Sequence, residues 1–430
     1  MIKRIINKKL VILMCVLFFV LLIESFHTIT IPQSFILFLT MLIPFFLKDE
    51  EIVAYIICFS ILGTGIQIAY VSLSCILNLL FKNKFKMNLS IFLTIGLFLI
   101  SEFFSLIKYP MDSLAETMRY VSVFFIVVYS LSMSFSEKGK KLIVDLFIIS
   151  TTFTVVLVII ETLALTGWNF NTLLNGTIRL GYSQQLGGKL FFSADPNLLG
   201  QNCALVFSIC LIYMLSKKYD LKYITSAIIC LLAGALTISK TFLLSLLLTI
   251  VLLLFFSGDG LNLIKSFSKK FRLLLLVGLL AFSMYRIYPT YLDNIINRVD
   301  TADITTGRVE VATKYLNVVS SNMNYMFFGV GIQNVGQKTG IIASPHSSFI
   351  ELYVCWGIVG IIYVCSLIIH FIKMFSKSNN NLKLLNYVPL IIFIFVTQTT
   401  QLFRIRDHIL SLIVIIIVCG IDLERRYENV

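Results

Sequence analysis

The chain has 430 residues, of which 58% are hydrophobic and 13% charged, and its mean hydropathy is +0.92. One or two soluble cores cannot bury that much apolar surface, which excludes an ordinary soluble enzyme. The formal charge of +13 lies in short basic clusters between apolar runs, a positive-inside distribution that excludes nucleic acid as the partner.

Apolar runs near or above the ~18 to 20 residues that cross a bilayer recur from end to end, and the alternating segments of a β-barrel do not occur. The expected fold is an all-α polytopic transmembrane bundle of about twelve to fourteen spans, with both termini cytoplasmic. The basic N-terminus leads into an apolar run from Leu10 to Ile23 without a small-residue cleavage site, so an uncleaved first span is expected. With the basic clusters held inside, residues 10–26 go out and 34–47 return. The segment 52–81 starts after "KDEE", ends at "FKNKFK" and must bend, with "GTG" at 63–65 as the outer turn. Further spans are expected near 89–107, 114–135, 141–165, 196–216, 221–237, 240–257, 272–289, 347–373, 385–401 and 407–420. The nine cysteines lie in or beside apolar segments without CxxC spacing and read as small core residues.

Two loops fall outside, 166–195 and 290–346. The longer one divides the chain into an N-terminal bundle (1–289), a large external loop (290–346) and C-terminal spans (347–430). It carries four basic residues (Arg298, Arg308, Lys314, Lys338) and four acidic ones (Asp293, Asp300, Asp303, Glu310). Within "GRVEVATKYLNVVSSN", Val309, Ala312, Tyr315, Leu316 and Val319 recur near helical spacing, which predicts an amphipathic helix on the outer membrane surface. No cysteine staples this loop, so packing or substrate must order it. No internal repeat is visible, which weighs against an inverted-repeat transporter.

In "SPHSSFIELY", Ser344 reads as an N-cap and Pro345 as the first helical residue, placing His346 in the first turn of an outward-facing helix N-terminus. Such an end favours an anion and disfavours protonated histidine, so a neutral imidazole beside phosphate is a candidate general base. The plainer reading is an interfacial polar residue. Arg308 opens the loop helix, and its planar fork suits phosphate, although loop arginines are ordinarily solvated. Lys240 in "LTISKTFLL" lies between apolar runs, where a cation costs ~2.5 to 3.5 kcal/mol near the bilayer centre. It either snorkels to the interface or lines an external cavity.

In "FFSADPNLLGQN", Asp195 is an N-cap and Pro196 the first helical residue, while Asn197 and Asn202 need partners inside the membrane region. Asp195, Asn197, Arg179 and Glu351 are the substrate-binding candidates. Glu24, Glu102 and Glu161 sit at outer span ends and read as interfacial. Glu351 is deeper and about 140° around a helix from His346. There is no HExxH, paired His/Cys spacing, P-loop or GxSxG, so no metal or cofactor is expected.

"GRVEVATKYLNVVSSNMNYMFFGVGIQN", the large outer loop and "PHSSFIELYVCWGIVG" together resemble the O-antigen polymerase and O-antigen ligase superfamily, the Wzy-type and WaaL-type membrane proteins. The family shows an Arg-led loop helix, a G-x-G turn, then a His-led helix with a glycine eleven residues on. Here those places hold Arg308, Gly329 and Gly331, His346 and Gly357. "SADPN" and "TISKT" resemble earlier landmarks. Three positions depart: Lys240 stands where the family often has Arg, Ser347 where it has Asn, and Cys355 where it has an acidic residue.

The resemblance implies a GT-C-like glycosyltransferase at the outer face of the cytoplasmic membrane. Its donor would be a glycan on undecaprenyl pyrophosphate, and an acceptor sugar hydroxyl would displace the lipid pyrophosphate with inversion. In that reaction His346 would be the base, and Arg308 and Lys240 would stabilise the leaving pyrophosphate. Partners would include membrane lipid, a chain-length regulator and a flippase. Three readings stay open: a repeat-unit polymerase for O-antigen or capsule, a ligase using a different acceptor, and a non-enzymatic flippase or transporter.

Overall fold

The structure is a computed structural model describing residues 8–26, 31–62, 65–81, 129–130, 135–193, 195–215, 220–256, 278, 293, 307–331, 335–343, 345–376, 384–398 and 410–420. Among them every regular element is helical. The first four α-helices are α1 (Lys8–Ser25), α2 (Gln33–Leu42), α3 (Asp49–Leu62) and α4 (Gly65–Phe81). The expected bend falls between α3 and α4, which pack on each other; residues 63–64 lie outside the described residues. So do the expected spans at 89–107 and, almost entirely, 114–135 and 272–289.

The centre is built from α5 (Glu137–Leu165), α7 (Pro196–Leu215), α8 (Leu221–Leu236) and α9 (Lys240–Phe256), with the short α6 (Phe170–Leu174) in the loop after α5. Of the described helices, α5 and α7 are long and apolar enough to cross a bilayer, and several shorter apolar helices surround them. Large apolar side chains cover the outside as well as the core: Phe19, Phe38, Leu247 and Phe255 are all exposed. A water-facing protein rarely presents such a surface.

The start of α5 shows how polar side chains set the frame. Ser136 caps it, its Oγ accepting from Gly139 N at 3.0 Å, and Glu50 of α3 accepts from both Ser136 N (2.6 Å) and Ser136 Oγ (2.9 Å). Two turns on, Asp145 accepts from Lys222 Nζ (2.6 Å) and Tyr223 OH (2.8 Å) at the start of α8. Tyr213, near the end of α7, stacks on Tyr223 at 4.7 Å. The starts of α5 and α8 and the end of α7 therefore share one end of the bundle, beside the basic residues Lys138, Lys140 and Lys141. The loop 166–195, the start of α7 and the α8–α9 turn lie at the opposite, distal end.

The segment leading out of the large loop forms α10 (Arg308–Ser320), α11 (Met323–Phe328) and α12 (Val335–Thr339), followed by α13 (Ser348–Ser376). The chain closes with α14 (Val388–Thr397) and α15 (Ser411–Cys419). Packing orders this part of the loop: Tyr315, Val319, Val330, Val335, Leu352 and Trp356 form a second core. The face expected of α10 is divided. Tyr315 and Val319 are buried against α13, whereas Val309 and Leu316 are exposed. Those two lie seven residues apart on the side turned from α13, so the helix is a packed element as well as a surface one.

Candidate functional site at the distal end

The loop 166–195 is seated by buried polar contacts. Glu161, in the last turns of α5, is fully buried, and its carboxylate accepts from Phe191 N (2.5 Å) and Phe192 N (3.3 Å). It is thus a clamp and not the interfacial residue the sequence indicates; the loop folds back over the helix end, which no local pattern reveals. Leu180 N donates to Leu236 O (3.0 Å) and Arg179 Nε to Thr237 O (2.9 Å), satisfying carbonyls left open where α8 ends. Arg179 also lies over the Tyr182 ring at 5.4 Å. The guanidinium is therefore tied into the scaffold through Nε.

Asp195 caps α7 as expected, accepting at Oδ1 from Asn197 N (2.7 Å), and its carbonyl accepts from Leu199 N (3.2 Å). Asn197 Oδ1 accepts from Ser239 Oγ (3.1 Å), which joins the start of α7 to the start of α9. Gly200 permits this approach, since a Cβ there would stand 3.1 Å from Phe242 Cβ and 3.2 Å from Ser239 Cβ. Ser239 is buried and was not among the sequence candidates; its place before a lysine that opens a helix was the available signal. Lys240 is the first residue of α9 and half-buried. Ile238, in the same turn, has φ of +49°, a costly conformation for a β-branched residue.

The start of α13 differs from the sequence reading. The helix begins at Ser348, and Ser347 carries the first helical acceptor, its carbonyl receiving Glu351 N at 2.9 Å. His346 stands before the helix with φ of +47°. A left-handed residue cannot continue a right-handed turn, and burial of Pro345 in the packed loop outweighs its preference for a first helical position. The 140° helical-wheel separation from Glu351 accordingly does not apply. Glu351 is buried one turn into α13, below the surface that His346 reaches.

His346 is partly open to solvent, yet its pKa is lowered. Desolvation is the main cause, the Arg308 cation adds to it, and Asp195 opposes it. One imidazole thus feels groups from α7 and α10, elements far apart in the chain. His346, Arg308 and Asp195 meet here, with Asn197 and Lys240 alongside through the Ser239 contact. The N-termini of α7, α9, α10 and α13 gather at this end with two cations, an arrangement suited to a polyanion.

Backbone contacts hold Arg308 and His346 in register. At Gly357, φ is +64° and ψ −159°, which interrupts α13 and frees carbonyls upstream. Val330 N donates to Val354 O and Gly331 N to Cys355 O, both at 2.8 Å. Gly329, at φ +72° and ψ −171°, shares a backbone region that is essentially restricted to glycine. A Cβ on Gly329 would overlap the backbone of Cys355 and Trp356, and one on Gly357 the backbone of Phe327. The G-x-G turn and the late glycine are thus two halves of one clasp. Lys338 Nζ donates to Val330 O (2.7 Å), and Tyr315 OH to Ala343 O (2.8 Å), closing the loop around it.

Among the described residues no three His, Cys, Asp or Glu side chains gather as metal ligands. The fold and site define an all-helical protein with a histidine and two cations set among helix N-termini. Residues 225–365 match the family model Wzy_C, O-antigen ligase, and the match supports membership of the O-antigen ligase and polymerase superfamily. That stretch contains Lys240, Arg308, His346 and the glycine clasp. No curated protein and no solved structure gives a significant match.

Proposed function

We propose that the chain is a polytopic enzyme of the cytoplasmic membrane that polymerises lipid-linked saccharide repeat units at its outer face. The basic end of the bundle lies toward the cytoplasm, with both termini, and the distal site lies outside. The outer loop 290–346 separates the bundle 1–289 from the spans 347–430. The superfamily match supports glycan transfer of the ligase or polymerase type, and the observation that carries the mechanism is the electrostatic meeting of His346, Arg308 and Asp195.

His346, kept neutral by desolvation and by Arg308, accepts the proton of an acceptor sugar hydroxyl. The hydroxyl oxygen bonds to the anomeric carbon of the donor as the bond from that carbon to the pyrophosphate oxygen breaks, with inversion. The departing undecaprenyl pyrophosphate gains the negative charge. Arg308, Lys240 and the helix N-termini stabilise it, so no metal or cofactor is required. Asp195 and Asn197 fix the start of α7 beside the bound saccharide, Arg179 holds its loop, and Glu351 supports the floor.

The family description itself favours a second reading, a ligase that moves the finished glycan to another acceptor. Deleting the gene separates them. A polymerase mutant accumulates single repeat units, whereas full-length polymer retained on its lipid carrier would establish the ligase. Units trapped on the cytoplasmic side would show a transporter instead. Activity of the purified protein should also survive excess chelator.

A further inference from the structure

The distal end carries a second feature that plays no part in the chemistry. Trp168 has φ of +62° and is 56% exposed. It follows a helix cap in which Gly167 N donates to Ala164 O (3.4 Å) and Trp168 N to Leu163 O (2.7 Å). A bulky residue held left-handed costs about 1 to 2 kcal/mol, and this one gains little core burial in return. Its neighbours are similar. Phe170 is exposed, and the Phe26 ring, exposed at the end of α1, lies 6.2 Å from the indole. Phe26 ends a row with Ile12 and Phe19, spaced by seven residues on one exposed face of α1.

We propose that Phe26, Trp168 and Phe170 form an aromatic anchor seated in the headgroup region of a lipid bilayer, which fixes the depth of the loop 166–195. This rests on the membrane-spanning reading above. The charges of α5 end at Asp145, apart from the inward-facing Glu161. From Leu146 to Leu165 the helix rises about 30 Å, the thickness of a hydrocarbon core. The three rings stand just beyond that length. The α1 and α5 helices lie side by side through the stacked pair Phe18–Phe153 at 4.4 Å, which keeps their distal ends level. The indole of Trp168, an apolar body with one polar N–H, suits this boundary, the two phenylalanine rings extend its apolar surface, and lipid supplies the burial that the protein withholds. Trp168 and Arg179 belong to the same loop, so the level of the anchor sets the level of the site.

The chain has two tryptophans, and Trp356 is buried, which makes the test direct. The full chain carrying Trp356→Phe is reconstituted in phosphatidylcholine vesicles brominated either near the headgroup or near the methyl end of the acyl chains. Quenching of Trp168 should be about twofold or more stronger with the shallow bromines, and aqueous iodide should quench weakly. Equal or stronger quenching by the deep bromines, or strong iodide quenching without lipid quenching, would overturn the anchor. If Trp356→Phe fails to fold, wild type and Trp168→Phe decide it: the component quenched by shallow lipid should vanish in Trp168→Phe, and its persistence would overturn the proposal. Alkaline carbonate extraction separates the two failures. Retention of the chain upholds the membrane reading whatever the quenching shows, and release would sink both.

Discussion

The two ends of the bundle are built by different rules. At the basic end, ordinary caps and charge pairs predominate: Ser136 caps α5, Asp220 caps α8, and Asp145 holds Lys222 and Tyr223. At the distal end lie all three non-glycine residues with positive φ among the described residues, Trp168, Ile238 and His346. Backbone strain is tolerated where surrounding structure enforces it, and it concentrates where geometry serves a task. Assembly governs the first end, and under the proposed function binding and catalysis govern the second.

The contrast breaks most directly at His346. His346→Ala should lower polymer formation about 10²- to 10⁴-fold in a purified assay, with expression and membrane insertion unchanged. A variant within a few-fold of wild type would remove the base. Arg308→Lys, which keeps charge but loses the fork, should also reduce activity.

Gly357→Ala tests the clasp. A forbidden backbone region and an overlap with Phe327 together should cost roughly 2 to 6 kcal/mol, read as a lowered thermal midpoint in detergent. Asp145→Ala should cost about 1 to 3 kcal/mol while activity per folded molecule stays constant. Loss of activity without loss of stability would blur the distinction between the ends.

Smaller effects sharpen it. Replacing His346 with Ala keeps the left-handed strain, whereas His346→Gly relieves about 1 to 2 kcal/mol and returns about 0.4 to 1 as unfolded-state entropy. His346→Gly should therefore be inactive yet more stable than His346→Ala. The pH profile gives the last test. Protonated His346 cannot accept the hydroxyl proton, so activity falls as pH drops through its lowered pKa. Asp195 opposes that lowering. Asp195→Asn keeps the cap, so its acidic limb should move to lower pH; an upward move would contradict the assigned electrostatic effect.

Much of this arrangement is legible in the sequence because it is local. The Asp195 cap, the division of 52–81 into two helices and the start of α9 at Lys240 follow from residue types over a few positions. The structure also brings His346, Arg308 and Asp195 together, whose role in catalysis is ours to propose. What the pattern conceals depends on distant partners. Pro345 reads as a helix start but is buried in the loop. Glu161 reads as interfacial but holds Phe191 and Phe192. The run 347–373 reads as one apolar span, although Gly357 interrupts the helix there, where the loop docks.

That interruption bears on how the molecule can be recombined. Val354 and Cys355 receive the hydrogen bonds of their carbonyls from Val330 and Gly331, so part of the ladder of α13 is completed by amides more than twenty residues upstream. Loop and helix form a single inheritable unit. A chimera that exchanged the outer loop alone, with its junction between Gly331 and Val354, would mismatch donors and acceptors inside the protein. One cut after Gly357 would carry the whole clasp, and with it the distance between Arg308 and His346.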